Sequence, residues 1–269
     1  MKTAVHILTW CRNQESLWAN LLVFKTIRTG FPDAQIIAHD NASAPEYREP
    51  IKDAALSAGA EFHTIDVEVA HWDFIRHVIE TTTADDVTFC DPDVVFWDRI
   101  AEPVAVLSGR LLPAFYDRFS HCWTHSRLHT SLLQIHGVTE LREMLHDVER
   151  SGWAQFNALR PFRFVNHDRW EIFDTCAQLY HYLKTFWPGS EPHAFTPAEL
   201  DRYDHLFCGT YLNLFPKGVE IANYTHKLYA EGNLRGAWRK QDEILARPQS
   251  EKYRAEVSTV PQTFAEMPC

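Results

Sequence analysis

Asp86-Val87-Thr88-Phe89-Cys90-Asp91-Pro92-Asp93-Val94-Val95-Phe96 is the stretch on which the reading of this chain turns. An apolar, β-forming segment ends in two carboxylates one residue apart, and a second apolar run follows. Pro92 has no N–H to give a strand ladder, so a central strand breaks there. Asp91 and Asp93 then fall in a turn at a strand's carboxyl end, where open α/β sheets bind ligands. Successive side chains of an extended strand face opposite ways, whereas a turn brings an i, i+2 pair to one point. Two converging carboxylates suit a hard divalent ion, which in turn holds phosphate oxygens. The plain alternative is a strand-end turn carrying two solvated acids.

The segments before this stretch share one period. Residues 5–10 read as a strand. Residues 15–29 have helical spacing, with Leu17, Leu21, Leu22, Phe24 and Ile27 on one broad apolar face, and Gly30, Pro32 and Asp33 stop the helix. A second strand is expected over 35–39, a helix over 45–57 closed by Gly59, a third strand over 61–65, and a helix over 71–82 with Phe74, Ile75, Val78 and Ile79 inward. The β-α-β-α-β-α-β alternation implies an α/β fold, with a mostly parallel sheet covered by helices on both faces. The pattern then changes. Strands are expected at 111–116 and 128–135, helices at 138–150, 171–185 and 199–215, loops at 160–168 and 187–197, and a last strand at 219–224. Without internal repeats or a long linker, this reads as a single α/β domain over 1–238, followed by a helical or loose tail over 239–269.

Composition narrows the function. The chain has 269 residues, 45% of them hydrophobic, enough for one large core. A formal charge of −10 argues against a nucleic-acid partner. No apolar run approaches a membrane span, and the first residues turn polar too quickly for a signal peptide. Six cysteines without a CxxC pair fit thiols in a reducing cytoplasm rather than a disulfide framework or a zinc knuckle. A cytoplasmic protein with no integral membrane segment is therefore expected.

Further candidate residues lie at the other strand ends. Thr9, Trp10 and Arg12 end the first strand and Asp40 ends the second. Thr9 and Asp40 suit hydrogen bonds to a base or ribose, Trp10 suits stacking on it, and Arg12 suits a phosphate. Asp40-Asn41-Ala42-Ser43 equally suits the cap of the next helix. Neither a G-x-G-x-x-G nor a G-x-x-x-x-G-K-[ST] loop follows a strand, so something other than a glycine loop must neutralise any phosphate, and a metal on Asp91 and Asp93 would do it. In the run 223–238, His226 suits a metal ligand, and Lys227 and Arg235 beside Gly232 and Gly236 suit a diphosphate. The spacing of His121, His125 and His129 admits a zinc reading, but the composition argues for a loop and a strand, and acceptor recognition is the better use. Arg76 faces away from its helix's apolar stripe, as a solvated charge or as a group that reaches donor phosphate or sugar.

Taken together, these residues resemble GT-A-type glycosyltransferases that use nucleotide sugars, and are loosely similar to glycosyltransferase family 8. In that fold a D-x-D ends the fourth strand and binds Mn2+ or Mg2+, as Asp91 and Asp93 would. The family's His-x-x-Gly-x-x-Lys-Pro-Trp motif is echoed by His226, Gly232, Lys227 or Arg235, and Trp238. The run 128–133 resembles its Phe-Asn-Ser-Gly-Val-Met segment at the donor sugar, which implies sugar contacts for His129 and Thr130; His129 stands where the family has Asn. Tyr203-Asp204-His205-Leu206 resembles Asp-Gln-Asp-x-Leu near the reacting sugar. The resemblance implies a metal-dependent glycosyltransferase with a nucleoside-diphosphate sugar donor and an unknown acceptor. Asp91, Asp93 and His226 would hold the ion. Asp204 would take the acceptor's proton if the reaction inverts, or orient the sugar if it retains. Two alternatives stay open: a haloacid-dehalogenase-type phosphatase with Asp91 as nucleophile, and a non-catalytic nucleotide-sugar binder.

Overall fold

The computed structural model describes residues 2–117, 122–152, 158–167 and 169–205, with the backbone alone at 14, 15 and 18. The expected strand at 219–224 and the boundary at 238 lie outside these residues. The chain is a mixed α/β fold. Its described part forms two compact units interleaved along the sequence: Met1–His6, Glu68–Cys90 and Ala101–Leu200 make the first, and Ile7–Val67, Asp91–Ile100 and the chain from Asp201 make the second.

The second unit holds the regular β/α pattern. The order is β1 (Thr3–Thr9, from Ile7 on), β2 (Gln35–Asn41) and β3 (Glu61–Ile65). β2 and β3 run parallel, with His39 opposite His63. Between them lie α1 (Gln14–Gly30) and α2 (Pro45–Ser57). The Asn13 side chain accepts from Ser16 N–H at the start of α1, one of the orphan donors every helix start presents. Leu22, Phe24 and Ile27 are buried on the expected apolar face, with Val23 buried beside them, each worth ~1.5–3 kcal/mol relative to exposure. Pro45 opens α2, where its missing N–H costs nothing. The Arg28 guanidinium, reaching from α1, donates to the carbonyls of Ala34, Ala58 and Gly59, each at 2.8 Å. It thereby joins the end of α2 to the approach to β2.

Two short strands complete this unit. β5 (Val94–Phe96) pairs antiparallel with β13 (Tyr203–His205), with Tyr203 opposite Phe96, Asp204 opposite Val95 and His205 opposite Val94. β5 is held against α1. Phe96 N–H donates to Thr26 Oγ1 at 3.2 Å and Ile100 N–H to the Gly30 carbonyl at 2.9 Å. Gly30 must be glycine for this contact, because a Cβ there would lie 2.6 Å from the Phe96 ring.

In the first unit the order is β12 (His193–Ala194), β6 (Ser108–Leu112), β9 (Arg127–His136), β4 (Asp86–Cys90) and the start of β1. β9 is antiparallel to both β4 and β6, with a bulge between Gly109 and Leu111. α3 (His71–Thr81) and α4 (Val138–Arg150) bury the faces that their period predicts. The Arg142 guanidinium on α4 donates to the Ile79 and Thr82 carbonyls at the end of α3, where free carbonyls gather. α5 (Ala177–Phe186) packs on β9 and α4. A four-stranded sheet is ordered β10 (Phe162–Asn166), β11 (Arg169–Phe173), β8 (Cys122–Thr124), β7 (Phe115–Asp117).

Several expectations change here, and the loop expected at 187–197 also carries β12. The loop at 160–168 and the front of the helix at 171–185 are instead the hairpin β10–β11, turned through His167 at φ 53°. The helix starts only at Ala177, because Cys176 before it is left-handed at φ 64°. The helix expected at 199–215 stops at Leu200 in the one-turn α6 (Pro197–Leu200) and gives way to β13. The strand expected at 111–116 is likewise split into β6 and β7 around Pro113 and Ala114. Among the described residues no helix is long and apolar enough to cross a membrane.

Candidate functional site

The strand ending at Cys90 breaks at Pro92 as expected, and Asp91-Pro92-Asp93 forms the turn into β5. The antiparallel partner of β5 completes the site. His205 pairs with Val94, one residue from Asp93, and its Nε2 lies 3.1 Å from Asp93 Oδ1 and 3.8 Å from Asp91 Oδ2. One ligand-capable atom from each of Asp91, Asp93 and His205 lies within 4.8 Å of the other two. Asp93 is 4% exposed and His205 6% exposed, while Asp91 is half-buried. Among the described residues this is the single such group of three.

Alternation along β13 sends the neighbour of His205 the other way. Asp204 is 3% exposed, and its Oδ2 accepts from Trp97 Nε1–H at 2.7 Å. The backbone N–H of Trp97 donates to the Arg202 carbonyl at 2.8 Å. β13 is therefore fastened to the end of β5 by a backbone bond and a side-chain bond on the same tryptophan.

The donor set defines what the triad can hold. Two carboxylates and an imidazole are oxygen-rich with one nitrogen, which suits Mn2+ and tolerates Mg2+. The turn geometry and burial fit such an ion, and water or phosphate oxygens would supply its other ligands.

The remaining expected residues divide between the units. In the second, Thr9 is buried and its Oγ1 donates to the His39 carbonyl at 3.2 Å. Trp10 is half-buried, with the exposed Arg12 guanidinium 5.8 Å from its ring centroid. Asp40 is fully buried and accepts from Arg48 Nε–H at 2.9 Å. It does not cap α2, whose N-cap is Ala44, with no side-chain bond. Ser43 Oγ instead accepts from Cys11 N–H at 2.9 Å. Burial pushes the Cys11 thiol up, against its hydrogen bonds with Ser16 and with the Asn13 carbonyl, so it is held protonated.

In the first unit, Arg76 forms a two-pronged ion pair with Glu149 and lies 3.5 Å from Glu80, which ties α3 to α4. The hydrogen bonds to Glu149 hold its guanidinium still more firmly protonated, against its partial burial. His129 Nδ1 accepts from Ser131 N–H at 3.0 Å, and Thr130 is half-buried on β9. The zinc reading of 121–129 gathers nothing among the described residues: His125 turns to Glu171 at 2.6 Å, and His129 turns to its own strand. His226, Lys227, Gly232 and Arg235 lie outside the described residues.

His205 is the site residue that the sequence reading passed over. The segment carrying it reads as helical, and the family resemblance there points to Asp204. The signal was present in Tyr203-Asp204-His205, which as a strand beside β5 presents Asp204 and His205 to opposite faces.

No protein-family model matches the chain, and no curated protein matches it. Solved structures give distant likenesses. The mannosyltransferase PcManGT from Pyrobaculum calidifontis, in complex with GDP-Man and Mn2+, is 11% identical over 96% of this chain and 79% of its own, with a TM-score of 0.43. The galactosyltransferase LgtC, in complex with donor and acceptor sugar analogs, is 14% identical over 94% and 99%, at 0.39. TarS 1–349 of S. aureus is 12% identical over 98% and 91%, at 0.37. At such identity and overlap, what those proteins bind says nothing about this chain.

Proposed function

We propose that this protein is a GT-A-type glycosyltransferase that moves a sugar from a nucleoside-diphosphate donor to an acceptor hydroxyl in a metal-dependent reaction. The observation that carries the reading is the convergence of Asp91, Asp93 and His205 at a strand-end turn. Asp91 and Asp93 supply negative charge for Mn2+ or Mg2+, and His205 supplies the third ligand, the role expected of His226. When bound, such an ion neutralises charge on a leaving diphosphate.

The protein's own groups do the rest. Asp93 and His205, both buried, are held in place, so little reorganisation accompanies ligand binding. Trp10 and Arg12 at the end of β1 offer a stacking surface and a cation to the donor nucleotide, with Thr9 and Asp40 supporting the strand ends behind them. Lys227, Gly232 and Arg235 are assigned to the diphosphate, and His129 and Thr130 to the donor sugar, on the family resemblance alone.

Thermal-shift titration with nucleoside diphosphates, with and without Mn2+, tests the reading. Ligand at 100 times its Kd adds ~2.7 kcal/mol, which raises Tm by ~5 °C or more in a chain of this size. The rise should require Mn2+ and vanish in Asp91→Ala and Asp93→Ala. An equal rise in those variants would overturn the site.

A further inference from the structure

Resting on that reading, we infer that Asp204 and Trp97 are positioning residues for His205 and that Asp204 is not the base that takes the acceptor's proton. Among the described residues β13 pairs with β5 at three positions, and that register brings His205 to Val94. A slip of one residue would turn every β13 side chain to the other face and carry His205 away from Asp91 and Asp93. Trp97 blocks that slip from the far side of the strand. Its backbone N–H holds the Arg202 carbonyl at 2.8 Å and its indole N–H holds Asp204 Oδ2 at 2.7 Å. The two bonds bracket Tyr203, whose ring lies 6.5 Å from that of Phe96, tilted at 36°. A carboxylate that is 3% exposed and spends an oxygen on a buried indole is placed to fix a strand. An acceptor hydroxyl needs a base it can reach.

The experiment is isothermal titration of Mn2+ into the full chain, with turnover measured at saturating Mn2+ beside it. Asp204→Ala and Trp97→Phe each should weaken Mn2+ binding ~10-fold or more, in the range of outer-shell changes. The double variant should be no weaker than either single one by more than about twofold, since both remove the same bond. Asp204→Asn keeps an acceptor oxygen for the indole, and should retain Mn2+ affinity within about twofold together with turnover. Circular dichroism reports folding; where Trp97→Phe does not fold, the contrast of Asp204→Ala with Asp204→Asn decides. Wild-type affinity in both Asp204→Ala and Trp97→Phe overturns the inference. So does an Asp204→Asn variant that binds Mn2+ normally but has lost turnover, because that behaviour belongs to a base. A wild-type chain that takes up no Mn2+ defeats the ion site itself, a separate failure visible before any variant is made.

Discussion

His125 and His205 each meet a buried carboxylate, and their surroundings resolve the encounter in opposite ways. Around Glu171 in the four-stranded sheet the carboxylate is answered in full. Oε2 meets His125 at 2.6 Å, while Oε1 accepts from Asn166 at 2.7 Å and from two N–H groups of Arg169 at 3.1 and 2.9 Å. His125 is in turn stacked on Phe173, centroids 3.9 Å apart. At the β5–β13 turn the ratio is reversed, with two carboxylates converging on one imidazole. The first arrangement is closed in charge and in hydrogen bonds, as a structural cluster must be. The second places two carboxylates and an imidazole within reach of one cation.

The largest expected effect breaks the comparison at its centre. His205→Ala should reduce Mn2+ affinity by more than ~100-fold, beyond the range of outer-shell changes, and turnover at fixed Mn2+ should fall with it. His125→Ala removes the same residue type from a carboxylate of similar burial and should leave Mn2+ affinity unchanged. Titration calorimetry on the two variants side by side decides. Equal losses would show that the two clusters are not different in kind.

Stability should respond in the reverse sense. Glu171→Ala leaves Arg169, Asn166 and His125 without their shared acceptor; with Arg169 half exposed, the loss should cost ~1–2 kcal/mol. Urea midpoints should show it, with Asp91→Asn much nearer to wild type. The pH dependence sharpens the point. Burial alone would raise the Glu171 carboxyl, but hydrogen bonds from Asn166, His125 and Arg169 outweigh it and hold the group below its ordinary value. A depressed folded-state value means the contribution is complete above the unfolded value of about 4.3 and is lost as pH falls through the folded one. Between pH 6 and 3 the wild type should therefore lose more stability than Glu171→Gln. Parallel curves would remove Glu171 from the account.

The two clusters were not equally legible. Residues 3–96 follow their periods closely, because α1 and α3 bury wide apolar faces and β2, β3 and β4 end at or beside Asp, Asn or Pro. Asp91 and Asp93 were readable for that reason: Pro92 ends the strand whatever surrounds it. His205 was not, because Pro197 and Glu199 open a helix with a capping bond that stops after one turn, Thr196 N–H to Glu199 Oε2 at 2.7 Å. Only pairing with β5 makes a strand of Tyr203–His205, and long-range pairing leaves no local period. The Glu171 cluster was hidden by turns that break a local rule. His167 and Cys176 adopt left-handed backbone without being glycine, so a hairpin and a late helix start read as a loop and a long helix.

Arg76 offers the smallest effect and a third form of the same encounter. Its guanidinium bridges Glu149 and Glu80 across α3 and α4, with side chains about one quarter exposed. Solvent screens such a pair, and exposed pairs contribute ~0–1 kcal/mol. Arg76→Gln should therefore lower stability by less than ~1 kcal/mol and leave the KM for the proposed sugar donor where it was. This sets the geometry against the expectation that Arg76 reaches the donor. An arginine with both prongs on Glu149 has little charge left to offer a phosphate. A donor KM raised tenfold with stability unchanged would mean that Arg76 leaves Glu149 when donor binds, and that a group paired as a strut in the resting protein serves as a binding group.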